Sequence, residues 1–394
     1  VQLFYSAALL TPAGFKALNI AADADVPPNG KIERDGSGNP TGWIAGDNPT
    51  ISGLFDKLPL PTFDESVEGT RQFFRELNRL GMTGVSDPGG FNLTAASYQP
   101  LFKLWQERAL TVRVVYSLFA QRRGKELEDY QAVTQMLPMG FGDDMLRFNG
   151  IGENVAWGMY NNDAPTEAQK EQLYQIYKWA ASQRMTVTQH WNPNRSVHHL
   201  LDVIERVNRE TPVAPLRWSI AHLNDATPEN LARMKALGVG WLMQNAMFFQ
   251  GEAFLKARGN EAMRLTPPIM TALKMGLPIA GGTDAHRVMS YNPFVSLQWM
   301  VDGKTVGGTL TRDEEQLPSR EEALRLYTLG STWFTFDDGK RGSLARGKLA
   351  DLAVLTKDYL TVPTGEIGGL ESLLTMVGGR VVYATGPYAQ LEEK

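Results

Sequence analysis

The chain has 394 residues, 43% of them hydrophobic and 21% charged, which is the composition of a globular protein with ample material for a core. Its formal charge is −4, and its basic residues form no cluster, which argues against a nucleic-acid-binding surface. The absence of cysteine excludes disulfides and thiolate chemistry, and it leaves the cellular compartment open. No apolar run reaches the ~20 residues of a membrane span.

Residues 1–65 differ from the rest of the chain because they are rich in Gly, Pro and Asp. Within them, KIERDGSGNPTG (31–42) predicts two short strands joined at DGSG. We interpret residues 1–65 as an insertion or accessory lobe of the domain that follows. The chain begins VQLFYSAALL, without an initiator methionine or a signal pattern, and we expect further sequence upstream of it.

Residues 66–336 alternate strand-like runs with amphipathic helices. Helix starts are marked by Ser66, which precedes an apolar stripe that includes Phe73, and by capping signals such as Thr166 with Gln169 and Thr227 before Pro228. Strands joined by helices are expected to be parallel and buried on both faces. This rhythm favours a (β/α)8 TIM barrel, with a doubly wound open sheet as the alternative. The predicted strands are MTGVSD (82–87), TVRVVYSL (111–118), MLRFNGIG (145–152), MTVTQHW (185–191), LRWSIAHL (216–223), GVGWLMQ (238–244) and LPIAGGTD (277–284).

Residues 337–394 have a different pattern. GKRGSLARGKLADLAVL (339–355) and VGGRVVYATG (377–386) alternate like antiparallel strands with tight turns. We expect them to form a small β-structure packed against the barrel.

Three polar residues follow the ends of predicted strands, where barrels place their chemistry. His190, His222 and Asp284 end or follow three different strands. A single histidine at such a place is more often structural, and a single aspartate is as often a helix cap. Three of them on separate rigid strands are better explained as metal ligands, because imidazole nitrogens and a carboxylate can converge on one ion.

Further residues fall near the same strand ends. Asn194 and Arg195, after the strand of His190, either hold a substrate carboxylate or order their loop. Gln244, at the end of the predicted strand 238–244, is expected to point toward the same end of the barrel. Trp157 and Tyr160 either line an apolar substrate pocket or belong to the core.

With these residues in place, the chain resembles the amidohydrolase superfamily, and most of all the amidohydrolase-3 group with its N-substituted formamide deformylase-like enzymes. His190, His222 and Asp284 are similar to that group's strand-5 histidine, strand-6 histidine and strand-8 aspartate. The resemblance covers nearly the whole chain. It extends to the segments IERDGSGNPTG, MTGVSDPGG, TDAHRVMSYNP and RGSLARGKLADLAVL, the last of which resembles a return into a β-sandwich.

Two features depart from the family pattern. The family's first strand carries an H-x-H pair of metal ligands, and no H-x-H occurs in this chain. Matching the visible strands to strands 2–8 places strand 1 upstream of Val1. In strand 4 the family often has a carboxylated lysine that bridges two metals, whereas this chain has Arg147, which cannot form a carbamate. Glu153 is an alternative bridging carboxylate, and a site with a single metal is equally compatible.

The resemblance implies a metal-dependent amidohydrolase that cleaves a C–N bond of an amide-type small molecule. One or two divalent ions, most readily Zn²⁺, would bind His190, His222, Asp284 and Glu153. Asp284 would serve a metal-activated water as general base and then the leaving nitrogen as general acid, while His222 or a neighbour such as Gln244 polarises the carbonyl. A homodimer is a reasonable default for such an enzyme.

Two other hypotheses remain at this stage. The missing H-x-H pair is compatible with a non-catalytic or inactive barrel that serves as a binding or scaffold protein. An aldolase- or isomerase-type barrel is less well supported, because the predicted strands contain no lysine for a Schiff base. His286, two residues after Asp284, is expected to contact either the substrate or a metal ligand.

Overall fold

The computed structural model divides into two compact units. The smaller unit comprises Val1–Ser66 and Thr283–Tyr291, and the larger unit comprises Val67–Gly282 and Asn292–Lys394. The predicted boundaries at 65/66 and 336/337 stay predictions. The structure describes residues 2–22, 25–26, 29–91, 93–286 and 288–392.

The smaller unit contains a four-stranded antiparallel sheet. Its strands are β1 (Gln2–Leu3), β2 (Ala7–Leu9), β3 (Lys31–Arg34) and β4 (Pro40–Ala45), in the order β1-β2-β4-β3, and its helices include α1 (Pro12–Ala17) and α2 (Asn48–Phe55). The β3–β4 pair is the hairpin that DGSG predicts. Oδ1 of Asp35 accepts hydrogen bonds from the backbone N–H groups of Ser37 and Asn39, both at 2.9 Å, which shapes the turn. The buried core of this unit is formed by Ala8, Leu18, Ile20, Val26, Ile32, Ile44, Ile51 and Leu54.

The larger unit is built on a seven-stranded parallel sheet whose strands lie in chain order. This order confirms the predicted α/β barrel class and argues against a doubly wound sheet, in which the strand order reverses at a switch point. An eighth strand of the barrel stays a prediction. The seven strands are β5 (Gly84–Asp87), β6 (Arg113–Leu118), β7 (Leu146–Glu153), β8 (Val187–Trp191), β9 (Ser219–His222), β10 (Gly240–Gln244) and β11 (Ile279–Gly282).

Helices connect these strands and cover the sheet. Every residue of β8 and β9 is buried, as expected for parallel strands with helices on their outer face. The predicted capping box of Thr166 and Gln169 starts α6 as expected. The helices are α3 (Phe63–Arg79), α4 (Gln99–Gln106), α5 (Glu126–Thr134), α6 (Glu167–Ser182), α7 (Val197–Glu210), α8 (Pro228–Leu237), α9 (Ala246–Arg264), α10 (Ile269–Lys274), α11 (Pro293–Asp302), α12 (Arg320–Arg325) and α13 (Ser331–Phe334).

Two details of the sequence-based prediction need correction. Helix α3 begins at Phe63 rather than after Ser66, because Glu65 accepts from the backbone N–H of Thr62 at 2.8 Å while Thr62 Oγ1 accepts from the backbone N–H of Glu65 at 3.3 Å. The long helix α9 was not predicted, since its sequence lacks a continuous apolar stripe.

A three-stranded antiparallel sheet follows the helices, formed by β12 (Leu352–Leu355), β13 (Ser372–Val377) and β14 (Arg380–Ala384) in that order. The predicted strand patterns overlap β12 and β14, whereas β13 was missed. Buried ion pairs join this C-terminal part to the starts of the parallel strands. Nε of Arg113 at the start of β6 donates to Asp351 at 2.7 Å, and Nη2 of Arg147 near the start of β7 donates to Asp337 at 2.9 Å.

Arg147 therefore lies near the amino end of β7, six residues before Glu153 at the carboxyl end. Of these two side chains, Glu153 is the one at the strand edge where the predicted ligands His190 and His222 lie. No helix in the described part of the chain is both long enough and apolar enough to cross a membrane.

Candidate metal centre

Three side chains meet at the carboxyl ends of three adjacent strands. Glu153 ends β7, His190 lies one residue before the end of β8, and His222 ends β9. The parallel register sets Glu153 opposite Gln189 and His222 opposite Trp191, so the three side chains come from neighbouring levels of the sheet. His190 and His222 lie 37 and 69 positions after Glu153 in the sequence, and the topology brings the three residues together.

The carboxylate of Glu153 lies between the two imidazoles. Oε1 is 3.2 Å from Nδ1 of His190, and Oε2 is 3.3 Å from Nε2 of His222. One donor atom from each residue lies within 4.8 Å of the other two. Ligand atoms bound at about 2.0–2.1 Å to a tetrahedral zinc ion lie roughly 3.3 Å apart, so the observed spacing fits such an ion. Two imidazole nitrogens and a carboxylate oxygen also suit a divalent transition metal chemically.

The electrostatics of the cluster favour an anionic carboxylate beside a neutral ring. Burial by itself raises the pKa of Glu153, but the charge of His222 and hydrogen bonds from both imidazoles hold that pKa below its ordinary value. Burial lowers the pKa of His190, and nearby His222 lowers it further. A deprotonated carboxylate and a neutral imidazole are the forms that bind metals.

His190 is held on its other sides by groups from two loops. The ring of Tyr160 stacks on the imidazole with centroids 4.3 Å apart and planes 14° apart. Nδ2 of Asn161 lies 2.9 Å, and Nδ2 of Asn192 3.1 Å, from Nε2 of His190. These contacts fix the plane of the ring, which sets the direction in which Nδ1 points.

The backbone turns sharply where β9 ends. His222 and Leu223 have φ values of 71° and 46°, in the left-handed region that residues other than Gly, Asn and Asp rarely adopt. The indole N–H of Trp241 donates to the carbonyl of His222 at 2.7 Å, and the backbone N–H of Leu223 donates to the carbonyl of Trp191 at 2.9 Å. Two hydrogen bonds thus hold a conformation of the kind that concentrates at functional sites.

Asp284 and His286 belong to Thr283–Tyr291, which groups with the smaller unit. Asp284 follows the end of β11 by two residues and has a φ of 50°. Its assignment as ligand and general base, and the assignment of His286 as a contact, stay predictions based on sequence position.

A cleft of about 510 Å³ lies beside the cluster in the larger unit. Trp157, Tyr160 and Asn161 line it together with Arg123 and the buried Glu126. Tyr160 and Asn161 are also the residues that contact His190, so the cleft and the cluster share a wall. The volume matches a small-molecule site.

The remaining predicted substrate contacts differ in their surroundings. Oδ1 of Asn194 accepts from the backbone N–H of Thr227 at 3.1 Å and from Nδ2 of Asn230 at 3.0 Å, so its side chain ties two loops together. Arg195 pairs with Asp163. Gln244 is buried at the end of β10, and its Oε1 has no hydrogen-bond partner among the described residues. Their roles toward a substrate stay predictions.

Asp87, at the tip of β5, is a further buried carboxylate at the same edge of the sheet. It accepts from the hydroxyl of Tyr98 at 3.1 Å and from the backbone N–H of Gly89 at 2.9 Å. Burial raises its pKa, and repulsion from the carboxylate of Glu153 adds to the rise. It was not predicted as a site residue, although it ends the strand of the segment MTGVSDPGG.

Asn161 and Asn192 were also missed. Asn161 has a φ of 49°, and the Asn161–Asn162–Asp163 run is typical of a turn, because Asn and Asp tolerate the left-handed region. The run therefore predicts a turn, but nothing in it indicates which strand end the turn approaches.

Comparison with known proteins agrees with this geometry. The sequence profile of the Amidohydrolase family (Amidohydro_3) matches residues 2–383. The chain is 25% identical over 391 residues to the N-substituted formamide deformylase of Arthrobacter pascens, and the alignment covers 94% of this chain and 70% of that protein.

Two solved structures show the same fold. An uncharacterised metal-dependent hydrolase from Pyrococcus horikoshii OT3 superimposes with a TM-score of 0.64 at 20% identity, over 91% of this chain and 71% of that one. A variant of the atrazine chlorohydrolase TrzN from Arthrobacter aurescens TC1, solved with zinc and atraton, superimposes with a TM-score of 0.56 at 16% identity, over 82% and 73%. By its sequence profile and its fold, the chain belongs to the amidohydrolase family.

Proposed function

We propose that the protein is a metal-dependent hydrolase that cleaves a C–N bond of an amide-type small molecule. The observation that carries the proposal is the buried group of Glu153, His190 and His222 at the carboxyl edge of a parallel sheet. Family membership and the similarity to an N-substituted formamide deformylase support the reaction class. N-substituted formamides are therefore the first substrates to test.

Glu153, His190 and His222 are proposed to hold a divalent ion, and zinc is the first choice because two imidazoles and a carboxylate suit it. The TrzN variant was solved with zinc, which supports the choice. A divalent metal in such a site supplies a Lewis acid for the carbonyl and lowers the pKa of bound water toward neutrality. The three residues allow one ion, and Asp284 would add a further ligand.

Asp284 is proposed as the group that moves the proton. It follows the last strand, β11, by two residues in the sequence. Its carboxylate would take a proton from the attacking water and give it to the leaving nitrogen, as general base and then general acid. The amide of Gln244, at the end of β10, is proposed to donate to the substrate carbonyl oxygen.

The body of the substrate is proposed to occupy the 510 Å³ cleft. Trp157 and Tyr160 offer aromatic faces there, and Tyr160 connects the cleft to His190 by ring stacking at 4.3 Å. A planar group of the substrate can stack on these rings, which favours substrates whose N-substituent is aromatic or otherwise flat.

The test combines metal analysis with hydrolysis of a panel of N-substituted formamides and other N-acyl compounds. His190→Ala is expected to lose the metal and the activity together. Asp284→Asn is expected to keep the metal but to lose at least about 100-fold in kcat, as expected for removal of a general base. Metal retained and hydrolysis unchanged in both variants would contradict the proposal. Ligand binding without hydrolysis by the metal-loaded wild-type protein would support the non-catalytic barrel instead.

A further inference from the structure

The second ring nitrogen of His190 faces two side-chain amides. Nδ2 of Asn161, from the loop after β7, lies 2.9 Å from Nε2, and Nδ2 of Asn192, directly after β8, lies 3.1 Å from the same atom. The remaining ring nitrogen, Nδ1, faces the carboxylate of Glu153 at 3.2 Å. Every polar contact of the ring therefore depends on which of its nitrogens carries the proton.

The orientation of the Asn161 amide is fixed by a separate hydrogen bond. Its Oδ1 accepts from the backbone N–H of Asn192 at 2.7 Å, so its Nδ2 must be the atom that faces His190. An amide N–H can donate to Nε2 only when that nitrogen carries no proton. A ring whose Nε2 carries no proton is neutral and holds its single proton on its other nitrogen. That proton is then on Nδ1, where it is donated to Glu153.

A metal at the cluster needs the opposite arrangement. Nδ1 is the nitrogen of His190 that faces Glu153, so it is the atom that would hold a metal shared with Glu153, and the single proton of the ring would then be on Nε2. An Nε2–H group needs an acceptor, but both amides present donors to it.

Asn192 can supply that acceptor. Its side chain is exposed, and its Oδ1 makes no hydrogen bond within the described part of the chain. A half-turn of the amide about its last bond exchanges Nδ2 for Oδ1 in front of Nε2. The same half-turn in Asn161 would lose the hydrogen bond from the backbone of Asn192.

We propose that Asn192 is a positioning residue whose amide sets the tautomer of His190 and thereby the metal affinity of the cluster. Without a metal its Nδ2 donates to Nε2, and when Nδ1 holds a metal its Oδ1 would accept a hydrogen bond from Nε2–H. The imidazole carries one proton in both states. The proposal rests on the proposed function, because it requires that the cluster binds a metal.

Two variants of Asn192 and one control separate this role from a general effect of charge. Asn192→Asp presents only acceptors to Nε2, and Asn192→Leu presents neither a donor nor an acceptor. Asn162→Asp places the same charge on the neighbouring loop, where the wild-type amide donates to the carbonyl of Gly158 at 2.8 Å. Because Asn192 is exposed, both variants are expected to fold, which circular dichroism verifies.

The dissociation constant of Zn²⁺ is measured by competition with a chromophoric chelator. Asn192→Asp is expected to bind zinc at least about tenfold more tightly than wild type and more tightly than Asn162→Asp, and Asn192→Leu at least about tenfold more weakly. In ¹⁵N NMR spectra, with the His190 signals assigned through His190→Gln, the wild-type proton is expected on Nδ1 without zinc and on Nε2 with zinc.

Three results would overturn the proposal: a metal-free wild-type protein with the proton on Nε2, wild-type zinc affinity in Asn192→Leu, or equal affinities in Asn192→Asp and Asn162→Asp. Zinc binding that is unchanged in the Asn192 variants contradicts this proposal but leaves the proposed function standing. A wild-type protein that binds no zinc contradicts the proposed function as well.

Discussion

At the scale of single residues, the site depends on a buried carboxylate between two imidazoles. Glu153 contacts His190 at 3.2 Å and His222 at 3.3 Å through different oxygens, so one side chain aligns both rings. A buried anion of this kind is stable only while its partners are present. The carboxylate therefore needs either a cation between the three groups or, without a cation, the two ring N–H groups that point into the same space.

Replacing Glu153 tests this reasoning most simply. Glu153→Gln keeps the size of the side chain but removes its charge, and we expect zinc affinity to fall by at least about 100-fold. This loss is larger than is typical for residues that only hydrogen-bond to a metal ligand. Affinity is measured by chelator competition. Glu126→Gln is the matched control, because Glu126 is a buried glutamate that accepts from the backbone of Trp157 and from Gln172. Unchanged zinc binding in Glu153→Gln would contradict the role given to this carboxylate.

Individual residues of the site could be predicted only where their position in a strand fixes their direction. His190 and His222 lie at strand ends, and parallel strands bring their ends to one edge. Glu153 directly follows the predicted strand 145–152, and only the family resemblance indicated it, as an alternative bridging carboxylate. Asn161 and Asn192 belong to loops, whose paths depend on tertiary contacts that a local pattern does not contain, so their contact with His190 could not be predicted.

At the scale of elements, strand β7 is shaped so that its carboxyl end can carry Glu153 close to β8. Gly150 has a φ of 91°, and a Cβ atom at this position would lie 2.1 Å from the carbonyl oxygen of Thr186. The same carbonyl accepts from the backbone N–H of Ile151 at 3.0 Å. The glycine thus allows the close approach that aligns the two strands.

Gly150→Ala is expected to lower the free energy of unfolding by at least about 2 kcal/mol, because it adds both a steric clash and an unfavourable φ. Urea denaturation measures the change. Gly365→Ala is the control, since a Cβ atom at Gly365 would meet no atom within 4 Å, and it is expected to change stability by less than about 0.5 kcal/mol. Equal effects of the two substitutions would refute the steric explanation.

Buried ion pairs attach the C-terminal segment to the amino ends of the strands. Asp337 accepts from Arg147 at 2.9 Å, from Nη2 of Arg341 at 2.8 Å and from Thr335 at 2.9 Å. Burial by itself raises the pKa of Asp337, but the two guanidinium groups hold it below its ordinary value. The ionised form therefore stabilises the fold, and this contribution is lost as the pH falls below about 3.8.

Asp337→Asn is expected to cost about 3–5 kcal/mol of stability at pH 7, because it leaves buried guanidinium groups without their anion. The difference from wild type should narrow as the pH falls below about 3.8, because Asp337 of the unfolded wild-type chain then binds a proton, whereas Asp337 of the folded chain, with its lowered pKa, stays ionised until lower pH. Urea denaturation across this pH range provides the measurement. Asp338→Asn breaks a more exposed pair with Arg217 and is expected to cost about 0–1 kcal/mol. A difference that stays constant down to pH 3 would argue against ionisation as the cause.

The strands themselves could be predicted within a few residues from apolar runs bounded by capping signals. Helix α9 and strand β13 could not, since the sequence of α9 lacks a clear apolar stripe and β13 (SLLTMV) has no strict alternation. Local patterns identify elements that bury one clear face, and they fail where burial is set by neighbours from distant parts of the chain.

At the scale of the whole molecule, the chain combines a fold known from metal-dependent hydrolases with a cluster of residues that could hold a metal, in the part of the barrel where chemistry is expected. The sequence profile supports the family over residues 2–383, and the structural comparisons support the fold. The buried cluster adds what neither comparison contains, namely the three side chains of this chain that can hold an ion.

The most direct test of that central claim is anomalous X-ray diffraction at the zinc edge from crystals of the zinc-loaded protein. We expect a peak about 2.0–2.2 Å from Nδ1 of His190, from Nε2 of His222 and from a carboxylate oxygen of Glu153. A zinc peak elsewhere, with none among these three atoms, would contradict the assignment of the metal centre and with it the proposed hydrolase.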